Sequence, residues 1–77
     1  MRLDLVLKQS GLIKRRTVAK TISDNGHILI NGKVSKPSSD VKDGDHLSLH
    51  LGARQIEVVI KFETKGRREI PTYEEVK

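Results

Sequence analysis

The residues of this sequence best suited to a chemical task are its lysines and arginines, because they crowd into the first half of the chain. Residues 1–36 carry eight basic and two acidic side chains, a balance of +6. Residues 37–77 carry seven basic and eight acidic side chains, a balance of −1. Such a one-sided distribution is typical of a surface that binds a polyanion. The candidate binding residues are Arg2, Lys14, Arg15, Arg16, Lys20, Lys33 and Lys36.

The densest part of this basic cluster is the run Lys14–Arg16, at the start of a predicted helix. Three consecutive cations spread around a helix start, and no acid lies between Asp4 and Asp24 to neutralise them. Arg16 and Lys20 are four residues apart on one helix face, where like charges cost stability unless a partner compensates. These features favour contact with RNA over the alternative of a solvated helix face.

The aromatic content separates the ways in which nucleic acid could be bound. The chain has one Phe, one Tyr and no Trp, so base stacking of the kind used by single-strand binders is disfavoured. Structured RNA recognised through its phosphates and its shape fits better. An anionic membrane surface would also suit a pI near 9.8, but the few apolar residues of each helix are needed for the core.

Residues for catalysis or metal binding do not come together in the sequence. His46 and His50 share one face of a predicted strand, but ~13 Å of strand separates them, and His27 lies in another element. We expect the strand histidines to face solvent, while His27 stays open as a phosphate contact. The acids at 40–45 lack the register of a calcium loop, and no cysteine is present. The sequence therefore predicts no enzyme, no cofactor and no metal.

Two short helices are predicted to position the basic cluster. Leu3, Val6 and Leu7 recur at the spacing of one helix face, and Ser10-Gly11 follows them as a break. A second helix should run from about Lys14 or Arg15 to Asn25. Its predicted buried residues are Val18, Ala19 and Ile22.

The rest of the chain predicts strands. Asn31-Gly32 follows the alternating Ile28 and Ile30 and is the strongest two-residue hairpin signal that a sequence offers. Alternating apolar residues at 47–51 and 56–60 predict two more paired strands. Residues 63–77 mix four basic and four acidic side chains and are expected to form a flexible charged tail.

These elements predict one small α+β domain over residues 1–62, with two N-terminal helices packed on a short, mostly antiparallel twisted sheet. A chain of 77 residues leaves no room for a second core. No apolar run approaches the ~18 residues of a membrane span, so we expect a soluble, cytoplasmic protein.

Several linked motifs resemble the S4-type RNA-binding domain and cover about residues 1–62. They are RLD at 2–4, KRRTVAK at 14–20, GHILINGKV at 26–34, KPS at 36–38 and VKDGD at 41–45. A chain that carries this domain without a catalytic partner is similar to the ribosome-associated heat-shock protein fifteen family, and most similar to its ribosome quality control branch.

The resemblance implies an RNA-binding factor that acts on a free large (50S) ribosomal subunit holding an obstructed peptidyl-tRNA. It implies contacts with rRNA and tRNA, support for template-free tailing of the stalled nascent chain, and association with a tailing factor. Arg2 and Arg16 would be the principal RNA contacts, and Asp4 would order the helix start or an arginine. Leu5, Val6 and His27 stand where the family tends to have basic or aromatic residues.

Two further functions remain open at this point. A general structured-RNA chaperone without a dedicated ribosomal site would need the same basic surface. A basic protein–protein adaptor would use it to bind an acidic protein. In each case the protein is expected to act as a monomer away from membranes.

Overall fold

The computed structural model describes residues 1–76, and for Arg16 it describes the backbone alone. Two helices precede five strands. The helices are α1 (Leu3–Gln9) and α2 (Arg16–Asp24). The strands are β1 (Ile28–Ile30), β2 (Lys33–Val34), β3 (His46–Leu51), β4 (Arg54–Lys65) and β5 (Arg68–Glu75).

Helix α1 is held at its start and along one face. Leu3, Val6 and Leu7 are completely buried, as their spacing predicts. The first free N–H groups of the helix donate to loop carbonyls, from Leu3 to Ser39 at 2.8 Å and from Asp4 to Pro37 at 3.2 Å. These bonds satisfy donors that a helix start leaves unpaired. The loop before β3 is thereby fixed against the start of α1.

Helix α2 begins one or two residues later than predicted and buries a smaller stripe. Ala19 and Ser23 are buried and Ile22 is half-buried, but Val18 is 42% exposed, so its prediction as a core residue is wrong. The Ser23 hydroxyl donates to the Ala19 carbonyl at 2.8 Å, which satisfies it inside the core. The stripe of α2 that meets the core therefore passes through Ala19 and Ser23, four residues apart on one face, and Val18 lies beside it.

The sheet has the strand order β2-β1-β3-β4-β5, and all its pairings are antiparallel. The β1–β2 hairpin turns at Asn31-Gly32, as predicted, with φ values of 52° and 83°. Positive φ at both positions is what a type I′ turn requires.

The core lies between the helices and one face of the sheet. Its fully or nearly fully buried apolar residues are Leu3, Val6, Leu7, Ile13, Ala19, Ile28, Val41, Leu47, Leu49, Val58 and Ile60. The alternation of these positions along β3 and β4 was predicted from the sequence. The α+β fold class, with two N-terminal helices on an antiparallel sheet, is confirmed.

The end of the chain differs from its prediction as a flexible tail. Residues 63–65 continue β4, and β5 pairs with β4 from Val58↔Glu75 to Lys65↔Arg68. The predicted boundary at residue 62 thus falls inside a strand, and Lys77 lies outside the described residues. Pro71 lies within β5, which is the edge of the sheet, where a missing backbone N–H is tolerated. Among the described helices, none is long and apolar enough to cross a membrane.

Candidate nucleic-acid interface

A shallow open pocket of about 360 Å³ lies where α1 meets α2. Its lining residues are Arg2, Asp4, Thr17 and Lys20. Two cations and a hydroxyl therefore come together from positions up to 18 residues apart. We call this the helix–helix pocket.

Arg2 is held in place by a buried acid. Its Nε lies 3.3 Å from Asp4 Oδ1 and its Nη2 lies 3.4 Å from Asp4 Oδ2. The side chain of Asp4 is 2% exposed and that of Arg2 is 52% exposed. The Nη2 contact is a hydrogen bond and the Nε contact is an ion pair, so Asp4 uses one of the five N–H donors of the guanidinium and holds the group by its charge. The remaining donors of Arg2 are available to a phosphate at the surface.

Asp4 has a second task at the start of α1. Its Oδ1 also accepts a hydrogen bond from the backbone N–H of Leu5 at 2.9 Å. A carboxylate in the first turn is favoured by the positive end of the helix dipole. The expectation that Asp4 orders the helix start or an arginine agrees with these contacts, and it performs both tasks.

The amino terminus anchors the neighbouring loop. The Met1 ammonium donates to Asp40 Oδ1 at 2.9 Å and to the Val41 carbonyl at 3.2 Å. The hydrogen bond and the charge of this ammonium, with a smaller contribution from Lys42, lower the pKa of Asp40 below its usual value of 3.8. This contact keeps the backbone of Arg2, which bridges to Asp40, in one place.

The N-terminal end of α2 carries cations where a helix ordinarily favours acids. Arg15 is its N-cap residue and makes no capping hydrogen bond through its side chain, and the first turn contains no acid. Lys14 and Arg15 are both exposed. Unpaired N–H groups and the helix dipole make such an end attractive to an anion. The prediction for Arg16 concerns a side chain outside the described part of the structure.

Two of the predicted binding residues stand apart from the helix–helix pocket. Lys33 is exposed on the edge strand β2, and Lys36 is exposed in the loop that follows it. The Ser39 hydroxyl accepts a hydrogen bond from the backbone N–H of Lys36 at 2.9 Å, which orders this loop. The structure therefore brings Arg2 and Lys20 together, while Lys33 and Lys36 do not line the pocket.

The hairpin that carries Lys33 is tied to the body of the protein by Asn31. Its Nδ2 donates to Asp45 Oδ1 at 3.1 Å, and its Oδ1 accepts the backbone N–H of His46 at 3.0 Å. Sequence reasoning found the role of Asn31 in the turn but not these contacts with residues 45 and 46. It also missed Thr17 in the pocket, which no sequence pattern singled out.

The histidines do not form a metal site in the described part of the chain, where no group of three metal-binding side chains occurs. His46 and His50 are half-buried on the sheet face away from the core, so they are less exposed than predicted. His46 Nε2 lies 3.7 Å from Glu57 Oε1, beyond hydrogen-bond distance. His27 is exposed just before β1.

Comparison with known proteins identifies the family. The family model of the S4 domain matches residues 1–47, more than half of the chain. An RQC P-site tRNA stabilizing factor of Bacillus subtilis (strain 168) is 53% identical over 60 residues, which cover 78% of this chain and 70% of that protein. A protein of the same name from Halalkalibacterium halodurans is 46% identical over 79 aligned positions, covering 100% of this chain and 90% of that protein.

The fold is similar to a solved structure as well. Heat Shock Protein 15 of Vibrio cholerae, described as trimeric, matches with a TM-score of 0.79 and 27% identity, covering 99% of this chain and 81% of that one. S4 domain proteins of this kind bind RNA without enzymatic activity. The chain is therefore a non-enzymatic RNA-binding protein of the S4 domain family, and it belongs to the branch whose members are named RQC P-site tRNA stabilizing factors.

Proposed function

We propose that this protein acts in ribosome quality control by binding the large ribosomal subunit that carries an obstructed peptidyl-tRNA. It contacts rRNA and the tRNA together and so supports template-free tailing of the stalled nascent chain. The names of its relatives support a role at the P-site tRNA. The observation that carries the proposal is the fixed guanidinium of Arg2 beside Lys20 in the helix–helix pocket.

The proposed contacts are made with phosphates. The pocket offers a guanidinium held by Asp4, an ammonium from Lys20 and a hydroxyl from Thr17. Guanidinium groups bind phosphate oxygens through two parallel hydrogen bonds, and these charge-assisted bonds are roughly twice as strong as neutral ones. The exposed Lys14 and Arg15 extend this basic surface along the start of α2, and Arg16 is proposed as a further RNA contact.

Two groups of basic residues are available to contact RNA, and they are proposed to hold two RNA segments at once. The helix–helix pocket with the start of α2 forms one, and the stretch with Lys33 and Lys36 forms the other. rRNA and tRNA backbones repel each other, and cations placed between them reduce that repulsion. Bridging of this kind would favour one position of the tRNA over others.

The partners and location follow from this role. The protein acts in the cytoplasm as a monomer, with large-subunit rRNA, peptidyl-tRNA and a nascent-chain tailing factor as partners. No cofactor or metal takes part.

Sedimentation of a lysate that contains the tagged protein tests the proposal. We expect the protein to accumulate with free large subunits that carry tRNA, and Arg2→Gln to shift it toward the top of the gradient. Lys8→Gln is the matched control, because Lys8 is an exposed cation at the other end of α1. A wild-type protein that stays at the top at low salt would remove the ribosomal assignment.

Two further readouts separate the remaining functions. Competition by bulk tRNA at equal affinity would point to a general RNA chaperone. Binding that survives complete RNase digestion would point to an adaptor for an acidic protein.

A further inference from the structure

The hairpin formed by β4 and β5 extends beyond the core of the protein. Its last packed pair is Phe62 and Pro71, of which Phe62 is half-buried and Pro71 is buried. All of residues 63–69 are exposed. Residues 63–65 add three further steps of strand, so the turn at Gly66-Arg67 begins about 10 Å past this pair.

The end of this hairpin is cationic. Lys65 and Arg68 are opposite each other in the strand register, and Arg67 lies in the turn between them. We call these three residues the cationic tip. Like charges directly opposite each other in a sheet are destabilising unless something compensates them.

No ion pair of the described residues includes a residue of the cationic tip. The ion pairs of the described residues join Met1 to Asp40, Arg2 to Asp4 and His46 to Glu57. The nearest acids in the strands are Glu63, on the same face as Lys65, and Glu69, opposite Thr64, and neither forms an ion pair with the tip. The tip therefore presents unpaired cations on a projecting, exposed turn.

The hairpin leaves the body beside the start of α1. A pocket of about 210 Å³ brings together Met1, Lys42, Phe62 and Glu69, with Val41 and Asp43 completing its lining. The backbone N–H of Phe62 donates to Asp43 Oδ1 at 2.8 Å, which fixes the hairpin at the point where it emerges. Because Met1 precedes Arg2, the point where the hairpin emerges lies close to the backbone that carries Arg2.

The charges along the hairpin also give it a direction. Its other end carries Glu57, Glu74 and Glu75, so one end is anionic and the far end is cationic. A polyanion is repelled by the anionic end and attracted by the cationic tip. The hairpin would thus meet RNA with its tip.

We propose that the cationic tip is a further phosphate-binding surface, which contacts the backbone of structured RNA beyond the segment bound at Arg2. This inference rests on the proposed function as an RNA-binding factor. The tip contains no aromatic residue, so it reads phosphates and not bases. It lies outside residues 1–47, the part of the chain matched by the S4 domain.

The test compares two double variants that remove the same charge. R67Q/R68Q alters the tip, and K8Q/R54Q is its control, because Lys8 and Arg54 are exposed cations outside the tip and the pocket. Binding of the full chain to purified large ribosomal subunits is measured at several KCl concentrations. We expect R67Q/R68Q to lower the slope of log K against log salt by about two units, since each lost phosphate contact removes about one. K8Q/R54Q should leave the slope unchanged.

Other outcomes overturn the inference in distinguishable ways. If the two double variants lowered the salt slope equally, the effect would be one of net charge alone, and the tip would not be a binding surface. The proposed function would still stand if Arg2→Gln weakened binding. If R67Q/R68Q weakened binding to intact subunits but not to their deproteinised rRNA, the tip would contact a ribosomal protein and not RNA. Absence of wild-type binding would remove the proposed function and the tip together.

Discussion

Replacing Asp4 by asparagine separates the positioning of Arg2 from the net charge of the protein. Asparagine has nearly the same shape and keeps an oxygen that can accept a hydrogen bond. It removes the negative charge that holds the guanidinium at 3.3 and 3.4 Å. The substitution also raises the net charge of the chain from +5 to +6. Positioning and net charge therefore predict effects of opposite sign on RNA binding.

The magnitude follows from the kind of hydrogen bond that is lost. Hydrogen bonds to charged groups contribute about 1.5–3 kcal/mol, against about 0.5–1.5 kcal/mol for neutral ones. Because Arg2 is half-exposed, water screens the pair and the lower end applies, a loss of about 1 kcal/mol in holding the side chain. That corresponds to roughly fivefold weaker RNA binding. The added charge alone would tighten binding by at most a similar factor.

Fluorescence anisotropy with labelled large-subunit rRNA measures the effect, and Asp24→Asn is the matched control. Asp24 is an exposed acid at the far end of α2, so its replacement adds the same charge without touching Arg2. We expect Asp4→Asn to bind about fivefold more weakly than Asp24→Asn, which carries the same net charge and should bind as tightly as wild type or more tightly. If Asp4→Asn bound as tightly as Asp24→Asn, the positioning role of Asp4 would be refuted.

Three further predictions concern stability. Asn31→Ala should lower the free energy of unfolding in urea by about 1–3 kcal/mol, and Asn31→Gly, which tolerates the φ of 52°, should lower it less. Ala19→Leu should cost about 1–3 kcal/mol by overpacking the core, whereas Val18→Leu at its 42% exposed position should stay within about 0.5 kcal/mol in the same assay. The lowered pKa of Asp40 means that its contact with Met1 stabilises the fold fully above pH 3.8 and is lost as pH falls through the lowered pKa. Thermal unfolding should therefore favour wild type over Asp40→Asn at pH 7, and the difference should vanish in strong acid; a constant difference would contradict the assignment.

Local patterns were sufficient for most of the secondary structure. The stripe of Leu3, Val6 and Leu7 predicted α1, and Asn31-Gly32 predicted the first hairpin, because both depend on residues adjacent in sequence. The alternation along β3 and β4 was equally direct. The two-residue turn at Gly66-Arg67 was missed, since the charges and the proline around it outweighed the weak apolar alternation of β5.

The sequence by itself determined the fold class, the excess of cations in the first half and the short-range turns, because these follow from composition and from neighbours along the chain. Only the tertiary structure decided that Val18 faces solvent, that β5 pairs with β4, and that Arg2 and Lys20 line one pocket. Each of these depends on packing or hydrogen bonding between elements distant in sequence. Local propensity carries no information about such contacts, and burial against other elements settles them.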